Sequence, residues 1–350
     1  MPLYELIKEL SESSGVAGFE GEVFDVVKRH LNGFVDELYS DGFGNLIAVK
    51  GKGKYKLLVA AHVDEIGLIV KHIDDNGFIR FAKLGGVPDH VLLGQRVKVH
   101  GVKGVVRGVI GCKAIHVMKE DERKQLVTYD KMFIDVGARS KREVEDLGVK
   151  LGSPITIEKE LVMLGNGLVC GKSLDDRAGV AVLIEALKRA SPRHKVYAVF
   201  TVQEEVGLRG ATVVAYSVKP DVGLAIDTTI AGDHPEIAVH EAPVKVGFGP
   251  VILVADGRRD GLGGGLIAHP KVRQWLVNLA EDINIPYQLE VVEGGTTDAA
   301  AIQLSRQGVP AGVVSLPARY LHSFSEVVSL ADAENLVKLL VKAFESDLPI

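Results

Sequence analysis

The sequence predicts an α/β protein in which a mixed sheet is flanked by helices and a small β-barrel domain is inserted into the chain. In the first and last parts of the chain, apolar runs typical of buried strands alternate with amphipathic helical segments, which favours one sheet covered by helices. Between these parts, short β-rich runs follow one another across glycine-containing turns, as in a small barrel or sandwich. The predicted domains are residues 1–67 with 162–350, and residues 68–161.

Two helices and two strands are predicted before the insertion. Apolar residues recur at helical spacing over residues 3–10 and 20–31, and glycines break the chain between these segments. Residues 46–49 and 57–61 are predicted strands, and the second is a continuous apolar run of the kind that is buried on both faces. The first part of the chain therefore contributes the first strands of the sheet.

The inserted domain consists of six predicted strands. Only residues 141–147 have a helical pattern there, and the charged residues 119–125 are predicted to form an exposed loop. The close spacing of the strands does not suit βαβ units. The strands are predicted over residues 68–72, 78–81, 96–99, 104–110, 132–136 and 155–158.

Helices and strands alternate again after the insertion. The glycine-rich residues 261–265 lack the spacing of a phosphate-binding loop and are predicted to be a flexible loop. Helices are predicted over residues 180–189, 211–216, 270–282, 299–305 and 331–344, and strands over residues 196–200, 222–226, 288–292 and 311–316.

Composition excludes several functions. The net charge of −5 and the lack of basic clusters with interleaved aromatic residues argue against nucleic acid as a partner. No apolar run approaches the roughly 20 residues that span a bilayer, and the first ten residues are too charged for a signal peptide, so we expect a cytoplasmic protein without membrane contacts. Cys112 and Cys170 are far apart and lack metal-binding spacing, so any metal is expected to bind His and carboxylate side chains.

Two adjacent carboxylates, Glu204 and Glu205, follow the predicted strand over residues 196–200. Open α/β sheets place their chemistry at such strand ends. Neighbouring side chains at a turn point in different directions, so one carboxylate can bind a metal while the other faces a substrate or a water. A solvent-exposed acidic turn is the alternative interpretation of this pair alone.

Further side chains that bind metals recur at equivalent places. A lone His after a strand is usually structural, and a lone Asp before a helix is usually a cap, but the recurrence favours a shared site. Because residues two apart on an extended segment point to the same side, His62 and Asp64 can reach one site together. The candidates at strand ends or helix starts are His62, Asp64, Asp175, Asp176, Glu204, Glu205, Asp227 and His322.

Two His and three carboxylates are enough for a pair of divalent ions bound through nitrogen and oxygen, such as zinc, cobalt or manganese. If Asp175 bridges the ions, each of them receives one His and one further carboxylate. Two such ions activate a water and polarise a carbonyl, which predicts a hydrolase. Glu204, beside a ligand but pointing elsewhere, is well placed as the general base.

Six motifs, in order, resemble the dinuclear-metal aminopeptidases that assemble as tetrahedral (TET) particles, and the match covers nearly the whole chain. Members of that family are named as glutamyl aminopeptidases, deblocking aminopeptidases and endoglucanases. The motifs are His-x-Asp-Glu-x-Gly, Leu-Asp-Asp-Arg-x-Gly, Gln-Glu-Glu-Val-Gly-x-Arg-Gly-Ala, Ala-Ile-Asp, Gly-Gly-Thr-Thr-Asp-Ala and Pro-Ala-Arg-Tyr-x-His-Ser. The resemblance implies a zinc-exopeptidase-like fold, an inserted dimerisation domain, and twelve subunits around a central chamber.

The resemblance also implies a role for each candidate in an enzyme with two zinc or cobalt ions. Glu204 is implied as the general base, and Asp64 as the carboxylate that orients the imidazole of His62. The implied metal ligands are His62 with Asp227 for one ion, Glu205 with His322 for the other, and Asp175 as the bridge between them.

Some alternatives stay open from the sequence. Asp176 is either a structural carboxylate at a helix start or a functional residue. The simplest interpretation of Arg177 is an ion pair with a neighbouring acid. Asp298 either caps a helix or lines a substrate pocket. Besides an aminopeptidase, the same scaffold suits a carboxypeptidase or an N-acyl amino acid deacylase. A glycosidase is a further alternative, and it needs two carboxylates that face each other across a sugar. A non-enzymatic protein with a vestigial site is another, and in that case replacing Glu204 would change no measurable activity.

Overall fold

The computed structural model describes residues 2–350, so only Met1 lies outside the described part of the chain. None of the helices in residues 2–350 has both the length and the apolar surface that crossing a bilayer requires. The α-helices are α1 (Leu3–Glu12), α2 (Gly21–Leu31), α3 (Glu120–Arg123), α4 (Lys141–Asp146), α5 (Leu174–Arg189), α6 (Arg209–Val218), α7 (Pro270–Asp282), α8 (Asp298–Gln303) and α9 (Leu330–Glu345).

The strands form one large sheet, a barrel and a small third sheet. They are β1 (Glu37–Ser40), β2 (Leu46–Lys50), β3 (Lys56–His62), β4 (Gly67–Ile73), β5 (Ile79–Leu84), β6 (Arg96–Gly101), β7 (Gly104–Gly111), β8 (Phe133–Asp135), β9 (Pro154–Ile157), β10 (Val162–Met163), β11 (Leu168–Gly171), β12 (Lys195–Thr201), β13 (Val222–Ile230), β14 (Val251–Gly257), β15 (Gln288–Glu293), β16 (Ala311–Ala318) and β17 (Glu326–Ser329).

The large sheet is mixed and has eight strands in the order β1-β2-β12-β3-β13-β16-β14-β15. Its central strands β12, β3, β13 and β16 are parallel, whereas β1, β2 and the β14–β16 pair are antiparallel. Helices α1, α2, α5, α7 and α9 pack on one face, and α6 and α8 pack on the other. The predicted mixed sheet with flanking helices is therefore confirmed.

Strand β3 lies at the centre of this sheet, and its sequence explains why. Leu57 and Val59 pack into the core on one face, and Leu58 and Ala60 pack into the core on the other. An apolar run without alternation is what a strand covered on both sides requires. The strand therefore ends inside the molecule, and His62, its last residue, is buried.

The inserted segment forms a closed barrel with the strand order β4-β5-β8-β7-β6-β9. All six predicted strands are present, and their apolar side chains fill a core separate from those of the large sheet. The predicted exposed loop over residues 119–125 contains the single helical turn α3, in which the Glu122 carboxylate accepts the Lys119 N–H group at 2.7 Å. The barrel part of the fold prediction is confirmed.

The small sheet links two distant parts of the chain. Its strands are ordered β10-β11-β17, and Gly171 of β11 pairs with Glu326 of β17. Strand β11 leads into the segment with Asp175, and β17 follows the turn with His322. The strands that were not predicted from the sequence are β1, β10, β11, β14 and β17.

Candidate metal centre

The predicted ligand residues come from three parallel strands and two connecting segments. His62 ends β3, and its neighbour in β12 is Thr201, after which the chain reaches the two glutamates. In β13, Ile226 pairs with Ala61, so Asp227 lies level with His62. Because the carboxyl ends of parallel strands meet at one edge of a sheet, side chains from three distant segments converge there.

Two groups of ligand atoms form at this edge. In the first, His62 Nε2 lies 3.2 Å from Asp175 Oδ1 and 3.8 Å from Asp227 Oδ1. In the second, His322 Nε2 lies 3.4 Å from Asp175 Oδ2 and 3.6 Å from Glu205 Oε1. The ligand atoms of each group lie within 4.8 Å of one another. Asp175 belongs to both groups and presents one carboxylate oxygen to each His.

The electrostatics of the site suit cations. Burial raises the pKa of Glu205 to about 7 and raises the pKa values of Asp227 and Glu204 well above their usual range, and neighbouring carboxylates add to the effect. Burial lowers the pKa of His322, but the Asp175 and Glu205 carboxylates outweigh it and raise that pKa to about 10. The site therefore concentrates negative charge that divalent cations would neutralise.

Asp64 supports the glutamate turn through its carboxylate. Its Oδ1 accepts the Glu204 N–H group at 2.9 Å, and its Oδ2 accepts the Glu205 N–H group at 3.1 Å. The Nδ1 atom of His62 is 3.0 Å from the Asp64 main-chain oxygen and 3.7 Å from Oδ1. Asp64 thus contacts the imidazole through its carbonyl oxygen, and its carboxylate holds the main chain of both glutamates, a contact that the sequence did not predict.

A second carboxylate that accepts main-chain N–H groups at the site is Glu326, which the sequence did not predict. Its Oε2 accepts the Asp175 N–H group and its Oε1 accepts the His322 N–H group, both at 3.0 Å. The signal that could have revealed it is an acid four residues after His322 at the start of an apolar run.

Asp176 is fully buried and belongs to neither ligand group. Burial raises its pKa well above the usual value, and the charge of Asp227 raises it further. Its carboxylate lies against Gly179, where an added Cβ atom would be 2.1 Å from Oδ1. The glycine that ends the Leu-Asp-Asp-Arg-x-Gly motif is therefore required, because a side chain at that position would collide with the Asp176 carboxylate.

Arg177 ties the N-terminal segment to the end of β3. Its side chain is completely buried and donates to the main-chain oxygens of Val63 at 2.7 Å, Leu10 at 2.7 Å and Gly15 at 3.1 Å. Glu65 Oε1 lies 3.8 Å from its Nη2 atom. The expected pairing with an acid is present, but the shorter contacts are to carbonyl groups.

The contacts at the start of helix α8 bear on whether Asp298 caps the helix or lines a substrate pocket. Thr297 caps the helix, because its hydroxyl accepts the Ala299 N–H group at 3.3 Å. Asp298 is buried instead, accepts the Thr201 hydroxyl at 2.5 Å, and has a pKa that burial raises to about 6. Asp298 therefore braces the end of β12, the strand that leads to the glutamates.

A cavity of about 430 Å³ opens over both ligand groups. Its walls away from the ligands are mixed, with apolar side chains beside threonines and one acid, Asp256. Asp256 Oδ1 accepts the Leu266 N–H group at 2.6 Å and the Thr296 hydroxyl at 3.1 Å. The wall residues include Leu208, Thr228, Leu253, Asp256, Val292, Thr296, Thr297 and Leu321.

Residues 44–339 match the sequence profile of the M42 glutamyl aminopeptidase family. The chain belongs to this family. A relative from Acetivibrio thermocellus that carries an aminopeptidase name is 43% identical over 343 residues, which are 97% of this chain and 98% of the relative. A lysyl aminopeptidase from Pyrococcus furiosus is 35% identical over 351 residues, 99% of this chain and 98% of the relative.

Solved structures agree with this assignment. An aminopeptidase from Desulfurococcus kamchatkensis superposes with a TM-score of 0.94 at 45% identity, covering 99% of this chain and 95% of that one. The TET1 peptidase of Pyrococcus horikoshii, which assembles into a tetrahedron or a large octahedral shell, has a TM-score of 0.88 at 34% identity over 99% of this chain and 100% of its own. The resemblance to TET aminopeptidases is confirmed, and this M42 protein is a peptide-bond hydrolase of the aminopeptidase class.

The endoglucanase name in this group does not extend to the M42 chain. A Thermotoga maritima structure described as an endoglucanase has a TM-score of 0.77 at 36% identity, covering 97% of this chain and 96% of that one. That structure shares the fold, whereas the family is one of metallopeptidases. The aminopeptidase prediction is confirmed over the glycosidase alternative.

Proposed function

We propose that this M42 aminopeptidase cleaves N-terminal residues from peptides with two divalent cations, zinc or cobalt, held by its two ligand groups. The position of Asp175 carries the proposal, because its two oxygens face His62 in one group and His322 in the other. Asp227 completes the first group and Glu205 the second. Imidazole and carboxylate ligands suit both metals.

Glu204 is the proposed general base. When bound, a pair of cations lowers the pKa of the attacking water and polarises the scissile carbonyl. Glu204 stands beside the ligand Glu205 but outside both groups, and it lines the cavity where a substrate would lie. It takes the proton of the water and passes it to the departing amine. Asp64 holds its main chain, so the base and the adjacent ligand are positioned by one carboxylate.

A pair of matched peptides tests the direction of cleavage. One peptide has a free amino end and an amidated carboxyl end, and the other has an acetylated amino end and a free carboxyl end. We expect residues to be released one by one from the free amino end of the first peptide only, as followed by mass spectrometry. Release from the carboxyl end of the second peptide alone would contradict an aminopeptidase and favour a carboxypeptidase.

Metal removal is the control for that experiment. After the enzyme has been dialysed against a strong chelator, the first peptide should stay intact. Zinc or cobalt added back should restore cleavage, because cations again occupy the two ligand groups. Full activity in protein shown to lack metal would remove the two-cation proposal.

Assembly into a shell of twelve subunits is proposed from the TET1 peptidase relative and from the barrel surface. Strand β7 and its neighbouring turn expose Val102, Val105 and Val109, and Ile115 and Val117 are also exposed. Apolar side chains that stay exposed in a single subunit favour an interface, which supports the barrel as the dimerisation domain. The cytoplasmic location stays a prediction from the sequence.

The mass in solution tests the assembly. Each chain has a mass of 37.6 kDa, so light scattering behind size-exclusion chromatography should give twelve times that value for the shell. Replacing Val105 and Val109 together by lysine should lower the mass, because charges are costly in a buried apolar interface. A monomer in the wild-type protein would contradict both the shell and the role of the barrel.

A further inference from the structure

Glu326 is a buried carboxylate whose two oxygens are used by two different segments of the chain. It is 1% exposed at the start of β17. Its Oε2 accepts the main-chain N–H group of Asp175, and its Oε1 accepts that of His322. One side chain therefore connects the backbones of two residues whose side chains meet in the second ligand group, Asp175, Glu205 and His322.

Glu326 is a buried acid that has no basic partner among residues 2–350. Burying a carboxylate is costly unless opposite charge compensates it, and within residues 2–350 no Lys or Arg side chain forms an ion pair with Glu326. The residues on both of its oxygens belong to the second ligand group. A cation in that group would stabilise the Glu326 carboxylate, and the carboxylate would stabilise the cation.

The conformation of His322 gives the contact a further purpose. His322 has φ near +59°, and Tyr320 has φ near +60°, in the left-handed region that residues other than glycine occupy rarely. Such a turn persists only where surrounding contacts hold it. The bond from the His322 N–H group to Glu326 is one of these contacts, and the Gly86 carbonyl oxygen, 3.1 Å from Nδ1, is another.

The two adjacent glutamates are held in the same way. Asp64 accepts the N–H groups of Glu204 and Glu205 with its two oxygens, as Glu326 does for Asp175 and His322. Two buried carboxylates thus hold four of the site residues by their main chains.

We propose that Glu326 is a positioning residue for the cation of the second ligand group. The proposal rests on the dinuclear centre described under the proposed function. Glu326 holds two members of the second group, Asp175 and His322, but only Asp175 of the first group. Its loss should therefore weaken the second cation more than the first.

The test is the zinc affinity of each group in Glu326→Gln. Glutamine keeps one acceptor oxygen but turns an N–H donor toward the other main-chain N–H group, so one of the two bonds is lost along with the charge. Zinc per subunit is measured by mass spectrometry on protein dialysed at fixed free zinc concentrations set by a competing chelator. We expect half-occupancy of the cation in the second group to need about 10–100-fold more free zinc and that of the first group to change less. His322→Ala, which removes a ligand of the second group alone, shows which of the two binding steps belongs to that group.

Asp332→Asn is the matched control. Asp332 is 1% exposed and also accepts two main-chain N–H groups, those of Gly247 at 2.6 Å and Gly249 at 2.8 Å, but it lies outside both ligand groups. A merely structural effect of removing such a carboxylate would appear equally in both variants. We expect the control to lose thermal stability and to keep both zinc affinities.

Each outcome has a defined meaning. Identical zinc curves for the wild type and Glu326→Gln would overturn the positioning role. If the wild type itself binds fewer than two cations per subunit, the proposed dinuclear centre is refuted, and the positioning role that rests on it is refuted for that reason and not because of the Glu326 variant. If Glu326→Gln does not fold, the comparison uses Glu326→Asp, whose shorter side chain keeps the charge but reaches only one N–H group, and an unchanged zinc curve there overturns the role as well.

Discussion

Replacement of Glu204 by glutamine is expected to lower kcat by about 10²–10⁴-fold while two cations stay bound, because a general base is lost and no ligand is. Glutamine has nearly the same shape but cannot take a proton. The measurement is kcat on a short peptide with a free amino end, together with zinc per subunit.

Glu185→Gln is the control for the loss of a negative charge. Glu185 is a largely buried glutamate of helix α5 that pairs with Lys188 and Arg189, outside both ligand groups. Its kcat should equal that of the wild type. A near-normal kcat in Glu204→Gln would show that Glu204 is not the base, and loss of a cation in that variant would make Glu204 a ligand.

Asp175→Ala is expected to remove both cations and all measurable peptidase activity. Asp175 is the member that the two ligand groups share, and each of its oxygens faces a different His. Loss of a residue that supports a ligand typically lowers metal affinity about 10–100-fold, and loss of the ligand itself should lower it further. The measurement is zinc per subunit at a free zinc concentration that saturates the wild type.

His62→Ala provides the comparison, because His62 belongs to one group only. We expect this variant to lose the cation of the first group and to keep more zinc than Asp175→Ala does. If Asp175→Ala still held two cations per subunit, Asp175 would not bridge them. Equal loss in the two variants would instead show that the second cation depends on the first.

Most elements of the fold could be predicted because their apolar residues follow one period. Helix α7 coincides with its predicted range, and the central strand β3 was recognisable as an uninterrupted apolar run. Strand β17 has four residues, too few for a pattern to stand out. Strand β14 is a short apolar run that leads into a glycine-rich stretch, and periodicity alone does not show whether such a run is a strand or which strands it pairs with.

The site was predictable as a set of residue types at strand ends, but their individual contacts were not. Asp64 and Asp227 both follow apolar runs and carry the same functional group. In the structure, Asp227 faces His62 in a ligand group, whereas the Asp64 carboxylate accepts main-chain N–H groups. The difference depends on which segment packs against each side chain.

The sequence by itself determined that this chain forms a helix-flanked mixed sheet with an inserted barrel, and that His and carboxylate side chains lie where a sheet of that kind places its chemistry. Tertiary structure alone decided which carboxylates lie in a candidate ligand group and which hold the backbone. Glu326 shows the physical reason, since its role comes from an N–H group 151 positions away at Asp175, and only packing brings the two within 3.0 Å.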